Sequence, residues 1–250
     1  MDLSVVIITF NEEKNIQRCI DSVKDIASEI LVVDSFSEDQ TESIAISSGA
    51  TFIQHPFEGH IEQKNYAWQQ AKHNWILSLD ADEALTPQLS KSIKDALKNP
   101  TAKGYMMNRL TYYCGHWVKH SGWYPDTKLR LFEKHKGAWG GVNPHDKFEL
   151  SDPKAKVLHL QGDILHYSYY TKEDHFKQIE YFSKIAASEL HQRGVSKPSF
   201  MIYLKVAAQF FKNYILKKGF LDGKTGWLIA KRSAFATYRK YTILKELNNG

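Results

Sequence analysis

The segment "LSVVIITF" (3–10) constrains the fold more than any other stretch of the chain. It is apolar almost throughout, with no alternation that would leave one face wet, so it reads as a strand covered on both sides, as in a parallel sheet. Parallel strands need crossovers, and the next residues supply them. Asn11 is placed to cap a helix with Glu12 and Glu13 in its first turn and Ile16, Cys19, Ile20 and Val23 on its buried face. "EILVVD" (29–34), "ATFIQHP" (50–56) and "WILSL" (75–79) read as further strands. A short helix closed by Gly49 and a helix over 61–72 lie between them. This is a doubly wound α/β pattern, in which functional groups gather beyond the carboxyl ends of strands. Thr9, Asn11, Asp34, Asp80 and Asp82 all stand at such ends. The turn "TFNEEKN" lacks the glycines that let a pyrophosphate approach a dinucleotide fold, which excludes a Rossmann dehydrogenase and a P-loop ATPase.

The exit of the fourth strand, "ILSLDADEALTPQL" (76–89), carries three carboxylates, Asp80, Asp82 and Glu83. A divalent metal holding a diphosphate would neutralise them. A solvated turn before a helix that begins at Thr86-Pro87 would tolerate them equally.

The middle, 101–170, interleaves glycines with Trp117, Trp123, Tyr124 and Trp139, which fits ordered loops and short strands with ring faces for sugar or base stacking, or a second core layer. Thr171 and Asp174 have capping-box spacing before a long helix. Its apolar stripe is read as Phe176, Ile179, Ile185 or Ala186, and Leu190, with Gly194 as its end and Pro198 as the restart. The stretch "FMIYLKVAAQFFKNYIL" is apolar almost all round, and a second helix is expected over about 225–245. Residues 201–250 carry ten Lys and Arg against Asp222 and Glu246, a net of +8, while the first 200 residues carry −3. An apolar helix with basic punctuation suits an interfacial segment on an anionic membrane, with an ordinary helix pair or a dimer surface as the alternatives. No nucleic-acid reading motif accompanies the charge. Two isolated cysteines, Cys19 and Cys114, suit a reducing compartment rather than a disulfide scaffold. The N-terminus enters a strand without a basic leader, which argues against secretion, and no window has the uncharged apolar length of a membrane span.

Taken together, "SVVIITFNEEKNIQRCIDSV", "EILVVDSFSEDQT" and "LSLDADEAL" resemble the nucleotide-sugar domain of family-2 glycosyltransferases, which have the GT-A fold. "GWYPDTKLRLF", "HYSYYT" and "GFLDGKTGW" resemble the branch containing lipopolysaccharide core β-glucosyltransferases and related transferases of bacterial envelope synthesis. The likeness runs from residue 3 to about 240. It implies an α/β, Rossmann-like GT-A fold with a mixed central sheet and a C-terminal helical extension. The expected division is a catalytic domain over 1–195, with a nucleotide-sugar half (1–100) and an acceptor-side half (101–170), followed by a basic helical tail over 196–250.

The resemblance also implies roles. Thr9, Asn11 and Glu12 would line the nucleotide pocket, and Asp34 would accept the N3–H of uracil, or else cap a turn. Gln63, Lys64 and Asn65 would face the same site, with Lys64 reaching a phosphate or remaining solvated. Asp80 would contact the ribose or diphosphate, and Asp82 would bind Mg²⁺ or Mn²⁺, with His166 as an extra ligand. In "NPHDKF", Asp146 would be the base that takes the acceptor's proton in an inverting transfer, with His145 and Asp126 as substitutes. Arg130 would pair with the diphosphate or an anionic acceptor group, Trp123 and Trp139 would hold sugar rings on the acceptor side, and Tyr167 or Tyr169 would close over the donor. The implied activity moves a hexose, glucose first, from a nucleotide-sugar donor, UDP-linked first, to a lipopolysaccharide core or related glycolipid. The implied location is cytoplasmic, on the inner face of the inner membrane. A nucleotidyltransferase acting on a sugar phosphate and a non-catalytic sugar-binding protein are the competing classes. The first lacks its Gly-rich, basic loop in "TFNEEKN", and intact Asp80, Asp82 and Asp146 argue against the second.

Overall fold

The structure, a computed structural model, describes residues 2–143 and 145–249, with the side chain of His145 outside the described set. The first strand, β1 (Leu3–Thr9), is buried along its whole length. Its side chains divide by parity, as a pleated strand requires. Leu3, Val5 and Ile7 enter one apolar cluster, and Val6 and Ile8 enter another. Helix α1 (Ile16–Val23) closes the first cluster with Ile16, Cys19, Ile20 and Val23. It starts four residues later than an Asn11 cap would place it. Asn11 instead has a φ of 53°. It donates its N–H to Ser37 Oγ at 2.7 Å and accepts the Glu38 N–H at 2.8 Å. Strand β2 (Glu29–Asp34), helix α2 (Thr41–Ser47) and strand β3 (Thr51–Gln54) follow. Helix α3 (His60–Gln70) then covers the second cluster with Ala67 and Trp68.

Strand β4 (Trp75–Asp80) lies parallel to β1 on the side opposite β2, so that Thr9 pairs with Asp34 and Ile8 with Asp80. The polar strand ends are therefore brought into one row. A short strand, β5 (Glu83–Leu85), is fully buried where a solvated turn was one expectation. Helix α4 (Pro87–Lys98) begins as its sequence directs, with Thr86 Oγ1 accepting the Leu89 N–H and Pro87 in the first turn. The same hydroxyl accepts the N–H of Asp163.

Strands β6 (Gly104–Tyr113), β7 (His116–Val118), β8 (Asp126–Glu133), β9 (Gly137–Val142), β10 (His145–Leu150) and β11 (Val157–Tyr169) complete the β structure. The main sheet has the order β3-β2-β1-β4-β8-β6-β11-β5, with β7 on β6, and is parallel on the β1–β4 side and antiparallel beyond it. Strands β9 and β10 form a separate hairpin that seals the second cluster with Trp139 and Phe148, the latter stacked on Phe132 at 3.6 Å. Gly162 is needed where β11 passes α4, because a Cβ there would stand 2.4 Å from the Leu89 nitrogen.

The chain divides into two compact units, residues 1–109 with 126–167 and residues 110–125 with 168–250. The boundaries fall inside β6, at the start of β8 and inside β11. The second unit holds α5 (Lys172–Gln192), opened by the expected capping box of Thr171 and Asp174, then α6 (Ser199–Phe211) and α7 (Gly223–Asn249). A π-helical turn, Lys212–Leu216, and a 3-10 turn, Gly219–Asp222, link the last two. The buried line of α5 is His175, Ile179, Ser183 and Ala187, so the helix is rotated from the expected stripe and Phe176 and Ile185 are exposed. Residues of "GFLDGKTGW" form a close crossing in which a Cβ on Gly226 would overlap the Gly219 carbonyl. Asp222 in that segment accepts the His120 N–H at 2.8 Å. None of the described helices is long and apolar enough to cross a membrane.

Candidate active site

The parallel strand ends bring the candidate residues together. Thr9 is buried, and its hydroxyl has no hydrogen-bond partner among the described residues. Asp34 is also buried, and it holds the turn after β2 by accepting both the N–H and the hydroxyl of Ser37. The turns after β1 and β2 are fastened together: Glu12 donates its N–H to Thr41 Oγ1 at 2.8 Å and Glu13 donates to Asp39 at 3.1 Å. Burial pushes the Glu12 carboxyl up to about 7, with the Asn15 hydrogen bond opposing and nearby Asp82 adding to the rise.

Asp80 ends β4 between two cations. Lys64 Nζ is 3.0 Å from Oδ1 and Arg130 Nη2 is 2.9 Å from Oδ2. Burial opposes ionisation of Asp80, but these two charges outweigh it and hold the carboxyl well below its ordinary range. Lys64 is neither solvated nor loose; it is 2% exposed, and it reaches Asp146 Oδ2 at 2.8 Å with its ammonium 4.7 Å from the Trp139 ring centre. One lysine therefore joins the Asp-x-Asp element to the carboxylate expected to act as base.

Local structure explains that meeting. Asn65, the next residue of α3, donates to the Trp139 carbonyl and accepts the Trp139 N–H, both at 2.9 Å. This pair of bonds clamps β9 to α3. The antiparallel register then places Asp146 opposite Gly141, within reach of Lys64.

Glu83 was not singled out as a site residue from sequence. Its side chain is 0% exposed and accepts from the Asp80 N–H at 3.0 Å, Arg130 Nη2 at 3.0 Å and Arg109 Nη1 at 3.4 Å. Arg109 continues to Asp126 at 2.7 Å. Asp126, a substitute for the base, is thus held by Arg109 and by Lys128, and these charges outweigh burial to lower its carboxyl. Arg130 is buried with Glu83, beside a partly exposed Asp80; among the described residues its Nε and Nη1 atoms have no hydrogen-bond partner. The only local signal for Glu83 was a third carboxylate beyond the two of the motif. Arg109 had none.

His166 and Asp82 meet at 3.1 Å, because β11 pairs His166 with Glu83 and donates the Tyr167 N–H to the Asp82 carbonyl. His166 outweighs burial and lowers the Asp82 carboxyl. Among the described residues no group of three or more His, Cys, Asp or Glu could hold a metal alone. The pair nevertheless fits Mg²⁺ or Mn²⁺, since adjacent donors of an octahedron with bonds near 2.1 Å are about 3 Å apart and such ions take their remaining ligands from phosphates and water.

Trp139 does not offer a face to a sugar. It is 5% exposed, packed with Phe132 and Phe148, and Lys64 and Arg130 lie over its ring. Trp123 belongs to the second unit, in a ring cluster with Tyr113, Tyr169 and His175. Tyr167 stacks under the Arg18 guanidinium at 3.8 Å. The side chain of His145 lies outside the described residues.

Residues 4–149 match the family model described as Glycosyl transferase family 2. The chain belongs to glycosyltransferase family 2. The glycosyltransferase is 30% identical over 262 residues to an uncharacterized glycosyltransferase of Rickettsia bellii (strain RML369-C), covering 98% of this chain and 87% of the relative. It is 25% identical over 268 residues to the lipopolysaccharide core biosynthesis glycosyltransferase LpsC of Rhizobium meliloti (strain 1021), covering 97% and 94%. Among solved structures it is similar to glucosyl-3-phosphoglycerate synthase from Mycobacterium tuberculosis in complex with Mn²⁺ and UDP-glucose, at 25% identity and a TM-score of 0.37, over 46% of this chain and 44% of that one.

Proposed function

We propose that this glycosyltransferase moves a hexose, glucose as the first choice, from a UDP-sugar to a lipopolysaccharide core or related envelope glycolipid, with inversion at the anomeric carbon. The observation that carries the reading is the Asp80–Lys64–Asp146 bridge, which puts a donor-side carboxylate and a base on the same buried lysine. The choice of acceptor draws on the similarity to LpsC along nearly the whole chain.

In this reading Thr9, Asn11 and Glu12 line the nucleotide, and Asp34 retains acceptor capacity for the uracil N3–H beside its bonds to Ser37. Asp80 faces the ribose and diphosphate, held in place by Arg130 and Glu83. Asp82 and His166 are the residues that would hold Mg²⁺ or Mn²⁺. The ion, when bound, supplies positive charge to the departing diphosphate. Asp146 takes the proton of the acceptor hydroxyl as that oxygen bonds to the anomeric carbon. The bond from that carbon to the diphosphate oxygen breaks, and its electron pair leaves with UDP.

The C-terminal helices would lie on the anionic cytoplasmic face of the inner membrane. Phe200, Tyr203, Leu204, Phe211, Leu216 and Trp227 are exposed, and residues 201–250 carry +8.

The test is a panel of nucleotide sugars with lipopolysaccharide from a truncated-core strain, preceded by the melting temperature with UDP and Mn²⁺ against UDP alone and nucleoside triphosphates. A Mn²⁺-dependent rise with UDP and transfer from a UDP-hexose are expected. Stabilisation by triphosphates only would overturn the reading.

A further inference from the structure

The link between Asp146 and Asp80 has a consequence for the order of events at the site. Lys64 has three N–H donors. Asp80 Oδ2 at 3.4 Å and Asp146 Oδ2 at 2.8 Å accept two of them, and Asp80 Oδ1 lies 3.0 Å from the ammonium as an ion pair. The indole of Trp139 lies 4.7 Å from the ammonium, which is almost fully buried, so a further anionic partner has little open approach to it. The two carboxylates are not equivalent. Asp80 is also held by Arg130, which is anchored in turn by Glu83. Asp146 stands on the β9–β10 hairpin and has Lys64 as its ion-pair partner among the described residues.

We propose that Asp146 and the donor diphosphate compete for Lys64, so that donor binding draws the lysine off Asp146 and frees that carboxylate to receive the acceptor hydroxyl. The inference rests on the reading of Asp80 as the diphosphate side and Asp146 as the base. It makes Lys64 a positioning residue that orders the two substrates, donor first. It also has a reciprocal form: whatever factor donor binding takes from the Lys64–Asp146 contact, that contact takes from donor affinity. A group that only faces the acceptor would leave donor affinity untouched when neutralised.

The experiment is a double-mutant cycle on Mn²⁺-dependent UDP binding, measured by calorimetry with wild type, Asp146→Asn, Lys64→Met and the double variant. Asp146→Asn is expected to bind UDP with Mn²⁺ roughly three- to tenfold more tightly than wild type, since a lysine held by one fewer charge is easier to recruit. The gain is expected to vanish in the Lys64→Met background. Unchanged or weaker binding by Asp146→Asn would overturn the proposal. A gain that persists without Lys64 would overturn it too, showing plain charge repulsion between Asp146 and the diphosphate. Absence of Mn²⁺-dependent UDP binding in wild type would instead remove the donor reading, and this proposal with it. Should the Lys64→Met variants not fold, a crystal structure of wild type with UDP and Mn²⁺ decides. Lys64 Nζ beyond 4 Å from Asp146 supports the competition, and an intact 2.8 Å contact beside bound UDP refutes it.

Discussion

The two units of this glycosyltransferase break the rule of apolar inside and charged outside in opposite directions. The first buries Lys64, Glu83 and Arg130 among carboxylates. The second leaves Phe200, Tyr203, Leu204, Phe211, Leu216 and Trp227 exposed. Each exception is more informative than a conventional core residue, because each has a free-energy penalty that a partner must offset. Buried charges are tolerable when every one is paired, and the Asp80–Lys64–Asp146 and Arg130–Glu83–Arg109 chains provide the pairing. Exposed rings on a basic helix would find their compensation outside the chain, in the apolar and anionic surface proposed above.

The strongest challenge to this contrast is Asp82→Asn, which keeps side-chain shape and removes the charge beside His166. Turnover is expected to fall by about 10³-fold or more, with loss of Mn²⁺-dependent UDP binding, because changes to groups that merely orient a metal ligand already cost about 10–100-fold. A variant that bound UDP with Mn²⁺ as the parent does would remove Asp82 from the metal site. Asp146→Asn should lower transfer by roughly 10²–10⁴-fold, the range for a positioned base. Near-normal transfer would move that role, with Asp126 next for assay.

Glu83→Ala tests whether the buried network is one unit. It leaves Arg130 and Arg109 without their shared buried anion, and a loss of roughly 3–5 kcal/mol of unfolding free energy is expected from urea titration. A loss below about 1 kcal/mol would show that water replaces the carboxylate. The second unit is challenged by changing Lys212, Lys217, Lys218 and Lys224 together to Gln. Each is worth about 1 kcal/mol at an anionic surface, so co-sedimentation with anionic vesicles should weaken more than about tenfold at low salt and less at high salt. Equal binding of the parent to neutral and anionic vesicles at both salt levels would refute the electrostatic part. No binding at all would leave the exposed rings to a packed-helix or dimer surface.

The smallest effect concerns His175. Burial, with Arg232 adding, pulls its imidazole down to about 4, and it bonds the Tyr113 hydroxyl at 3.1 Å. The unfolded chain, with a value near 6.5, takes up a proton that the folded chain refuses, so stability is lost as pH falls below about 6.5 toward 4. Urea unfolding should show about 2 kcal/mol less stability at pH 5 than at pH 7 from this group, and His175→Phe should flatten that part of the slope. An unchanged slope would place the titration elsewhere.

The contrast also shows where sequence reading succeeds. β1, the Thr86-Pro87 start of α4 and the Thr171–Asp174 box were legible, because each depends on neighbours within a turn or on a run of side chains along one strand. The row of Thr9, Asp34 and Asp80 was legible for the same reason, since parallel strands carry their polar exits to one edge. Asn11 misled, because its side chain bonds the loop after β2 instead of a helix of its own. The stripe of α5 misled as well. Its buried line includes His175 and Ser183, which a hydropathy pattern discounts, and excludes Phe176 and Ile185.

By itself the sequence determined a doubly wound parallel half, the position of its acidic exits and a basic, apolar C-terminal region. Tertiary structure alone decided which charges are buried and with whom. Lys64 meets Asp146 across 82 residues, Arg130 meets Asp80 across 50 and Glu83 across 47, and Trp139 becomes a core ring rather than a sugar platform. Propensity and periodicity express interactions between residues a few positions apart, where chain geometry fixes the distance. The fate of a charge depends on desolvation and on the sign of its neighbours in space, and those neighbours are set by strand order and register, which no local spacing contains.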